Sequence, residues 1–341
     1  MNSKSLISFT EKGIYCKQAD VFIDPWKPVD RAIITHAHAD HARPGSRWYL
    51  AHHLSKGILQ LRLGDIYLES IEYGKTININ GVNISLHPAG HIIGSSQVRL
   101  EYNGQICVIT GDFKLENDNI ATPFEPVKTH TLVMESTFGL PVYLWKDQKI
   151  IFKEINDWWR KNKAEGKTSI LCGYVLGKAQ RLLHHVDQNI GNIFVHGAVY
   201  NVNRVLSTMS MTISQFPKVE QGLDKKKFEG ALIITPSSAL QTPWMKKFQP
   251  YRTAIASGWM SIRGARRRRS VDRGFVLSDH ADWDGLNKVV ILSNAQEVYV
   301  THGYSYEFSK WLKEKGYYAQ EIQTRFEGEL GEINEQSDKV G

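Results

Sequence analysis

A histidine-rich run near the start of the chain constrains its fold and chemistry more than any other feature. Residues 35–41 read Thr-His-Ala-His-Ala-Asp-His and follow an apolar segment that predicts a strand. Because residues two apart on extended backbone point to the same side, His36 and His38 can bind one ion. Asp40 and His41 come one turn later and can face a second ion. Imidazole and carboxylate groups are preferred ligands of Zn²⁺ and of its Mn²⁺ or Fe alternatives, so the run predicts a metal site.

Polar residues at three other predicted strand ends supply the further contacts that a pair of metals needs. His91 follows the apolar segment 82–86 and Asp112 follows the segment 105–109, each beside a glycine. Glycine lets backbones approach closely, so side chains at such ends can converge on one site. Asp24 ends a similar segment, and we expect it to hydrogen-bond a ligating histidine. A single aspartate after a strand more often caps a turn, so only the combination indicates a metal site.

Composition excludes several classes of protein. The length of 341 residues is typical of about two domains. The contents of 42% hydrophobic and 23% charged residues exclude disorder along the whole chain. Three scattered cysteines do not form a disulfide framework and favour a reducing compartment, the cytoplasm. No apolar run approaches about 18 residues, so we expect no membrane span. The net charge of +7 suggests a polyanionic partner, although mildly basic enzymes are nearly as common.

The pattern of apolar segments changes along the chain. Short strand-like segments separated by turns fill the first part, at 21–24, 32–35, 82–86, 97–101, 105–109 and 131–134. Helices are then predicted at 148–163, 178–186 and 199–209, and strands at 169–172, 193–195, 231–235 and 253–256. This alternation of helix and strand predicts a largely parallel α/β sheet.

No linker separates the two patterns. Near the end of the chain, strands are predicted at 274–277 and 297–300 and helices at 283–292 and 304–315. We therefore predict one domain built from residues 1–145 and 272–341, with a second domain, residues 146–271, inserted into it.

In order and spacing, Asp24, the histidine-rich run, His91 and Asp112 resemble the four metal motifs of the metallo-β-lactamase fold. The resemblance implies an α/β fold in which two mixed sheets form an αββα sandwich with the site at one edge. It also implies two divalent metal ions, Zn or Mn. By this resemblance, one ion is held by His36, His38 and His91, the other by Asp40, His41 and His302, and both by Asp112.

Three later motifs make the resemblance more specific, because they are similar to the signatures of the β-CASP nuclease family. Residues 134–139 (Met-Glu-Ser-Thr-Phe-Gly) resemble the first signature, residues 278–282 (Ser-Asp-His-Ala-Asp) the second and residues 300–303 (Val-Thr-His-Gly) the third. In that family an α/β lobe is inserted between the first and second signatures. Residues 177–180 (Gly-Lys-Ala-Gln) are similar to a helix start in that lobe. The resemblance spans about residues 13–325.

Within the β-CASP family the chain is most similar to bacterial ligase-associated DNA exonucleases, which are also labelled mRNA 3′-end processing factors. The similar segments are 15–16, 22–30 and 39–46. This similarity implies single-stranded DNA as substrate, DNA repair as the process, and association with a DNA ligase and a helicase. Glu135 and His302 instead match the RNA-cutting members, because the eukaryotic DNA-repair branch has Asp and a non-histidine there. The signatures leave the choice between DNA and RNA open.

Hydrolysis of a phosphodiester needs an activated water, neutralised phosphate charge and a proton for the leaving oxygen. Two metals can supply the first two through a shared hydroxide, with Asp40 orienting the nucleophile. We expect His280 to act as general acid, because Glu135 beside it would favour the protonated imidazole. The residues that we expect to take part in catalysis are therefore Asp40, His280, Glu135 and Asp24. The leading prediction is a dinuclear-metal exonuclease that acts on single-stranded DNA.

Three other functions stay open at this point. The first is a ribonuclease that processes transcripts. The second is a small-molecule metallo-hydrolase acting on thioesters or lactams, against which the inserted lobe, His302 and the basic charge count. The third is a scaffold without activity, against which the filled ligand positions count.

Contacts with nucleic acid are predicted from charge and from strand ends. Four consecutive arginines and one nearby form either a solvated face or a strip that follows phosphates: Arg266, Arg267, Arg268, Arg269 and Arg263. Ser237, Ser238 and Ser257 follow predicted strands and either present hydroxyls to phosphates or form turns. Lys178, at the start of a predicted helix, is the remaining candidate.

Overall fold

The computed structural model of the protein describes residues 5–209, 213–220, 222–262 and 271–324. The five arginines that we predict as nucleic-acid contacts lie outside these residues: Arg263, Arg266, Arg267, Arg268 and Arg269. The chain divides into two units, of which the first contains residues 5–144 and 280–324 and the second the described residues between 145 and 279. Both units mix strands and helices, which confirms the predicted α/β class.

The first unit begins with a six-stranded sheet. Its elements are β1 (Ser8–Thr10), β2 (Gly13–Cys16), β3 (Val21–Ile23), β4 (Arg31–Ile33), β5 (Trp48–His52), helix α1 (His53–Leu63) and β6 (Leu68–Ile71). The strands lie in chain order, antiparallel from β1 to β3 and parallel from β3 to β6. Helix α1 packs on β5 and β6 through the buried Ile58 and Leu59.

A second sheet follows in the same unit. Its first strands are β7 (Thr76–Ile79), β8 (Val82–Pro88), β9 (Ser96–Tyr102), β10 (Gln105–Ile109) and β11 (Thr131–Ser136). Neighbours from β7 to β10 are antiparallel, whereas β11 pairs with β10 in parallel. A parallel pairing needs a long connection, which here is the segment between residues 110 and 130 that carries Asp112.

The second unit is an α/β layer structure around a parallel sheet. Its elements are α2 (Gln148–Ala164), β12 (Thr168–Cys172), α3 (Lys178–His185), β13 (Ile193–Val195), α4 (Gly197–Thr208), β14 (Leu232–Thr235), β15 (Tyr251–Ala256) and β16 (Arg273–Phe275). The strand order is β13-β14-β12-β15-β16, and every pair is parallel. Apolar clusters cover both faces, which explains uninterrupted apolar strands such as Leu232–Thr235.

The chain then returns to the first unit. It adds α5 (Trp283–Ser293), β17 (Glu297–Gly303), α6 (Ser305–Glu314) and β18 (Tyr318–Glu321). Strand β17 pairs in parallel with β11, so the second sheet has the order β18-β17-β11-β10-β9-β8-β7. Strand β16 pairs with β15, and the second unit accordingly extends to Asp279, whereas the sequence pattern places its end at residue 271.

Alternating side chains build the layers of the first unit. In β11, Val133 packs into the aliphatic core between the two sheets, whereas Leu132 and Met134 point to the opposite face. On that face they join buried residues of α5 and α6, such as Leu286 and Phe308. Helix α1 lies on the first sheet and α5 and α6 on the second, which confirms the predicted αββα sandwich. Within the residues that the structure describes, no helix has both the length and the apolar character needed to cross a lipid bilayer.

Gly303, at the end of β17, is predicted to be essential for stability. Its φ of +78° is unfavourable for other residues, and a Cβ there would lie 2.3 Å from Thr137 Cα and 2.4 Å from Ser136 O. Both atoms are backbone and cannot move aside cheaply. We expect Gly303→Ala to lower the free energy of unfolding by about 3–5 kcal/mol in urea denaturation. Gly316→Ala is the matched control, since Gly316 has a φ of +88° and nothing within 4 Å of its Cβ position. It should lose only about 1–2 kcal/mol, and equal losses would contradict the steric argument.

Candidate metal centre

The candidate site is assembled at the carboxyl ends of several strands of the first unit. Asp24 follows β3, and residues 35–41 follow β4 after Ile34. The ends of β8, β10, β11 and β17 supply the other side chains, namely His91, Asp112, Glu135 and His302. All of these side chains are buried, and the structure brings them together as the strand-end pattern predicts.

The first group of converging side chains contains His36, His38, His91 and Asp112, whose candidate ligand atoms lie within 4.8 Å of one another. His38 Nδ1 lies 3.1 Å from His91 Nε2, and His36 Nε2 lies 3.5 Å from Asp112 Oδ2. Three imidazoles and one carboxylate at this separation match the donor set of a zinc or manganese site.

The second group contains His41, Asp112 and His302. Asp112 Oδ1 lies 2.7 Å from His302 Nε2 and 3.5 Å from His41 Nε2. Asp40 is at the edge of this group, with its Oδ2 3.5 Å from His41 Nε2. One oxygen of Asp112 thus faces each group, which is the arrangement that a bridging carboxylate requires.

The chemistry of the donors fits a divalent cation. His36 Nε2 and Asp112 Oδ2 are fully buried and, among the described residues, neither atom has a hydrogen-bond partner. Burying polar atoms without a partner costs free energy, and native proteins rarely do so without a reason. A cation between these atoms would satisfy both. The residues of the two groups could therefore hold two metal ions.

Electrostatics within the site favour positive charge near Asp112. Burial and the nearby His41 lower the pKa of His36 well below its usual value, so its imidazole is neutral and offers a lone pair. Burial alone would lower the pKa of His41, but the carboxylates of Asp112, Asp40 and Asp24 raise it well above its usual value. The pKa of Asp112 is well below its usual value, because His41 and His302 outweigh the opposing effect of burial. The carboxylates that favour a proton on His41 equally favour a metal cation beside it.

Asp24 contacts the histidine-rich run at two points. Its Oδ2 lies 2.7 Å from His41 Nδ1, the contact expected between a carboxylate and a ligating histidine. Its two oxygens also accept hydrogen bonds from the backbone N–H and the hydroxyl of Thr35, at 2.7 Å and 2.5 Å. Asp24 has a φ of +45°, a left-handed conformation that is uncommon for residues other than glycine. Both oxygens of Asp24 are thus engaged by the backbone, the Thr35 hydroxyl and one imidazole of the run.

His280 and Glu135 form a pair beside the two groups. His280 Nδ1 lies 2.9 Å and 3.0 Å from the two carboxylate oxygens of Glu135. Together with Asp112 they form a third cluster within 4.8 Å, and the His280 and His91 ring centroids are 4.6 Å apart. The pair is therefore placed where a proton could be delivered to a substrate held at the metal groups.

The backbone of Phe113 links this pair to the bridging carboxylate. Its N–H donates to Glu135 Oε1 at 2.8 Å, and its carbonyl accepts from the N–H of Ala281 at 2.7 Å. Phe113 directly follows Asp112, so a single stretch of backbone fixes Asp112, Glu135 and the residue after His280. No local sequence signal indicates this role, because it is performed by the main chain.

The candidates for nucleic-acid contact in the second unit have local partners. Lys178 is buried, and its Nζ lies 3.0 Å from Asp279 Oδ2 and donates to Leu277 O at 3.1 Å. A buried ammonium that is held by a carboxylate is poorly placed to meet a phosphate, which speaks against the predicted role. Ser257 is also buried and its hydroxyl oxygen accepts from Trp259 N, so it caps a short 3₁₀ helix.

Two half-buried serines remain as candidates in that unit. Ser237 and Ser238 lie in a short 3₁₀ helix just after β14, at the carboxyl end of the parallel sheet. Ligands often bind at this end of α/β sheets, so the position agrees with the hypothesis without testing it.

Other residues that shape the site were not found from the sequence. Arg62, on α1, donates to the carbonyl of Ala37 inside the histidine-rich run at 2.6 Å. Ser136 donates to the carbonyls of Thr301 and His302 and so fixes the end of β17. Both contacts join residues that are far apart in the chain. Ser136 had a signal, its place in the first β-CASP signature, whereas Arg62 had none.

Comparison with known proteins gives no match to a family model, but it finds similar sequences. The chain is 30% identical over 322 residues to a protein named "Probable DNA ligase" from Opitutus terrae, covering 94% of this chain and 31% of that protein. It is 25% identical over 196 residues to "Endoribonuclease YSH1" from Yarrowia lipolytica, covering 47% and 23% respectively. It is 26% identical over 215 residues to "Cleavage and polyadenylation specificity factor subunit 3-I" from Arabidopsis thaliana, covering 53% and 30%. The chain thus spans less than a third of the length of each of these relatives.

A solved structure supports the fold. The crystal structure of a protein of unknown function from Enterococcus faecalis V583 is similar with a TM-score of 0.59 and 13% identity, covering 86% of this chain and 79% of that one. At this identity the likeness concerns the fold alone. The sequence relatives supply the family, and they agree with the order of the strand-end motifs: the chain belongs to the β-CASP family of the metallo-β-lactamase fold.

Proposed function

We propose that the protein is a metal-dependent phosphodiesterase that hydrolyses nucleic acid, most specifically an exonuclease acting on single-stranded DNA in repair. The observation that carries this proposal is the position of Asp112, whose two oxygens face two separate groups of histidines. When bound, two divalent ions (Zn or Mn) would neutralise phosphate charge and lower the pKa of a water. The family membership of the chain supports the same activity.

The roles of the chain's own residues follow from the geometry. The first ion would be held by His36, His38 and His91, the second by His41 and His302 with Asp40 nearby, and both by Asp112. His280 would donate a proton to the leaving oxygen, and Glu135 would hold the His280 ring through Nδ1 so that Nε2 is presented to the substrate. Asp24 would orient His41.

The relatives favour DNA over RNA as substrate. The match with the protein named as a probable DNA ligase extends over 94% of this chain, whereas the matches with the endoribonuclease and with the cleavage and polyadenylation specificity factor subunit extend over about half. Only 31% of the ligase-named protein is matched, so the remainder of that protein has no counterpart in this chain. We propose that the protein acts together with a DNA ligase and a helicase, and both partners are proposed from the family resemblance only. Three buried free cysteines are consistent with a cytoplasmic location.

RNA processing is the second candidate function. Glu135 and His302 resemble the residues of the RNA-cutting members of the family, and the relatives include one named as an endoribonuclease and one named as a cleavage and polyadenylation specificity factor subunit. Small-molecule hydrolysis is less well supported, because the second unit gives a lactam or thioester hydrolase no evident advantage.

One assay separates these functions. Purified protein is incubated with 5′- or 3′-end-labelled single-stranded DNA, duplex DNA, RNA of the same sequence and a chromogenic lactam, with Mn²⁺ or Zn²⁺ added. We expect rapid loss of single-stranded DNA in the presence of metal and no loss in the presence of a chelator. Degradation of RNA with intact DNA would instead establish the second candidate, and turnover of the lactam alone would refute nuclease activity.

A further inference from the structure

Two of the candidate ligands, His36 and His302, are each preceded by a threonine whose hydroxyl lies beside the ring. Thr35 Oγ1 is 3.0 Å from His36 Nδ1, and Thr301 Oγ1 is 3.0 Å from His302 Nδ1. One histidine belongs to the first metal group and the other to the second. The same local contact thus occurs once in each group.

The other partner of each hydroxyl decides which atom carries the proton. Thr35 Oγ1 lies 2.5 Å from Asp24 Oδ2, and Thr301 Oγ1 lies 3.0 Å from the carbonyl oxygen of Met134. An ionised carboxylate and a carbonyl can only accept hydrogen bonds, so each hydroxyl must donate its proton there. Its lone pair then remains to accept from the imidazole, which requires a proton on Nδ1 of the histidine.

A neutral histidine with its proton on Nδ1 has its lone pair on Nε2. His36 Nε2 lies 3.5 Å from Asp112 Oδ2, and His302 Nε2 lies 2.7 Å from Asp112 Oδ1. When a cation is bound beside the shared carboxylate, the lone pair of each Nε2 therefore faces that cation. We infer that Thr35 and Thr301 are positioning residues that fix the metal-binding tautomer of these histidines, one in each group. The inference rests on the proposed metal centre.

Two further histidines of the site have a hydrogen-bond partner at Nδ1. His41 and His280 are also held through Nδ1, but by the carboxylates of Asp24 and Glu135. A threonine hydroxyl does the same without adding negative charge. In the first group, Thr35 also connects His36 to Asp24, so one carboxylate orients His41 directly and His36 through a hydroxyl. Partners that orient metal-ligating histidines typically contribute 10–100-fold to metal affinity.

Valine and serine substitutions test the inference. Thr301→Val keeps the shape of the side chain and removes the hydroxyl, whereas Thr301→Ser keeps the hydroxyl; Thr35→Val and Thr35→Ser form the second pair. The measurement is the binding of Zn²⁺ and Co²⁺ to the metal-free protein, by competition with a chelator and by the Co²⁺ absorption spectrum. We expect each valine variant to lose about 10–100-fold in affinity for one of two bound ions. Each serine variant should bind close to the parent.

Thr129→Val is the matched control for a merely structural effect. The Thr129 hydroxyl is also largely buried and donates to two carbonyls, Ile106 O and Thr131 O, but among the described residues it shows no hydrogen bond with a histidine ring. Its loss should leave metal affinity unchanged. Valine variants at positions 35 and 301 that are folded by circular dichroism and bind both ions like the parent would overturn the inference, as would serine variants that bind as weakly as the valine ones. A parent protein that binds metal but cleaves no nucleic acid would refute the proposed function and leave this inference standing.

Discussion

Replacing Asp112 by asparagine should abolish cleavage and lower the metal content of the purified protein from two ions to less than one. Among the residues that the structure describes, Asp112 is the one side chain that lies in both metal groups, with Oδ2 3.5 Å from His36 Nε2 and Oδ1 2.7 Å from His302 Nε2. The amide keeps the size of the side chain but removes the negative charge that the two proposed dications would share. Since bound metals contribute several kcal/mol to the transition state, we expect the rate to fall by about 10³-fold or more.

The control for this change is Asp65→Asn, which alters an exposed aspartate of the same unit. Metal content is measured by atomic emission on dialysed protein, and the rate under single-turnover conditions at saturating metal. The control should match the parent in both. Asp112→Asn protein that retains two ions and more than a tenth of the rate would show that Asp112 does not bridge, and the dinuclear proposal would then have to be abandoned.

The convergence of the candidate ligand residues could be predicted because their signals are local. His36, His38, Asp40 and His41 lie in one short run, and strand periodicity alone puts His91 and Asp112 at strand ends. Side chains at the ends of neighbouring strands converge whenever the strands share a sheet edge, which requires no knowledge of the detailed packing. The structure accordingly brings His36, His38 and His91 to one side of Asp112, His41 to the other, and Asp40 beside His41.

Contacts that depend on tertiary packing could not be predicted in the same way. Lys178 at a helix start suggests a solvent-facing charge, but Asp279, far along the chain, binds its ammonium in a buried ion pair. Arg62 and Lys56 are the two Lys or Arg residues of helix α1, and nothing local in the sequence distinguishes Arg62, which the fold brings to Ala37 O. In both cases the partner is a carboxylate or a carbonyl that only the folded chain places there. A charged group is buried only where a partner compensates its charge, and the spacing of residues in the sequence does not show where that partner lies.

Replacing His280 by alanine should slow cleavage by about 10²–10⁴-fold while both metal ions stay bound. His280 is held through Nδ1 by both oxygens of Glu135, and its ring lies 4.6 Å from that of His91, next to the metal groups. A general acid acts on the leaving oxygen in the transition state, so its loss lowers the rate of the chemical step and leaves ligand binding intact. Glu135→Gln should show a smaller loss, because the amide can still contact Nδ1 but no longer stabilises the charged ring. Loss of metal from the His280→Ala protein would instead identify His280 as a ligand.

The role of the proton can be isolated by changing the leaving group. The p-nitrophenyl diester of thymidine 5′-phosphate releases nitrophenolate, which is stable without a proton, whereas DNA releases an alkoxide that is not. A general acid is therefore needed for DNA and dispensable for the nitrophenyl ester. We expect His280→Ala to be impaired about 10²–10⁴-fold on DNA and less than about tenfold on the ester, while Asp112→Asn is strongly impaired on both. A general acid matters only where the leaving oxygen needs a proton, which is the case for DNA and not for the nitrophenyl ester. Equal impairment of His280→Ala on both substrates would therefore show that this histidine positions the substrate or the metals and does not donate the proton.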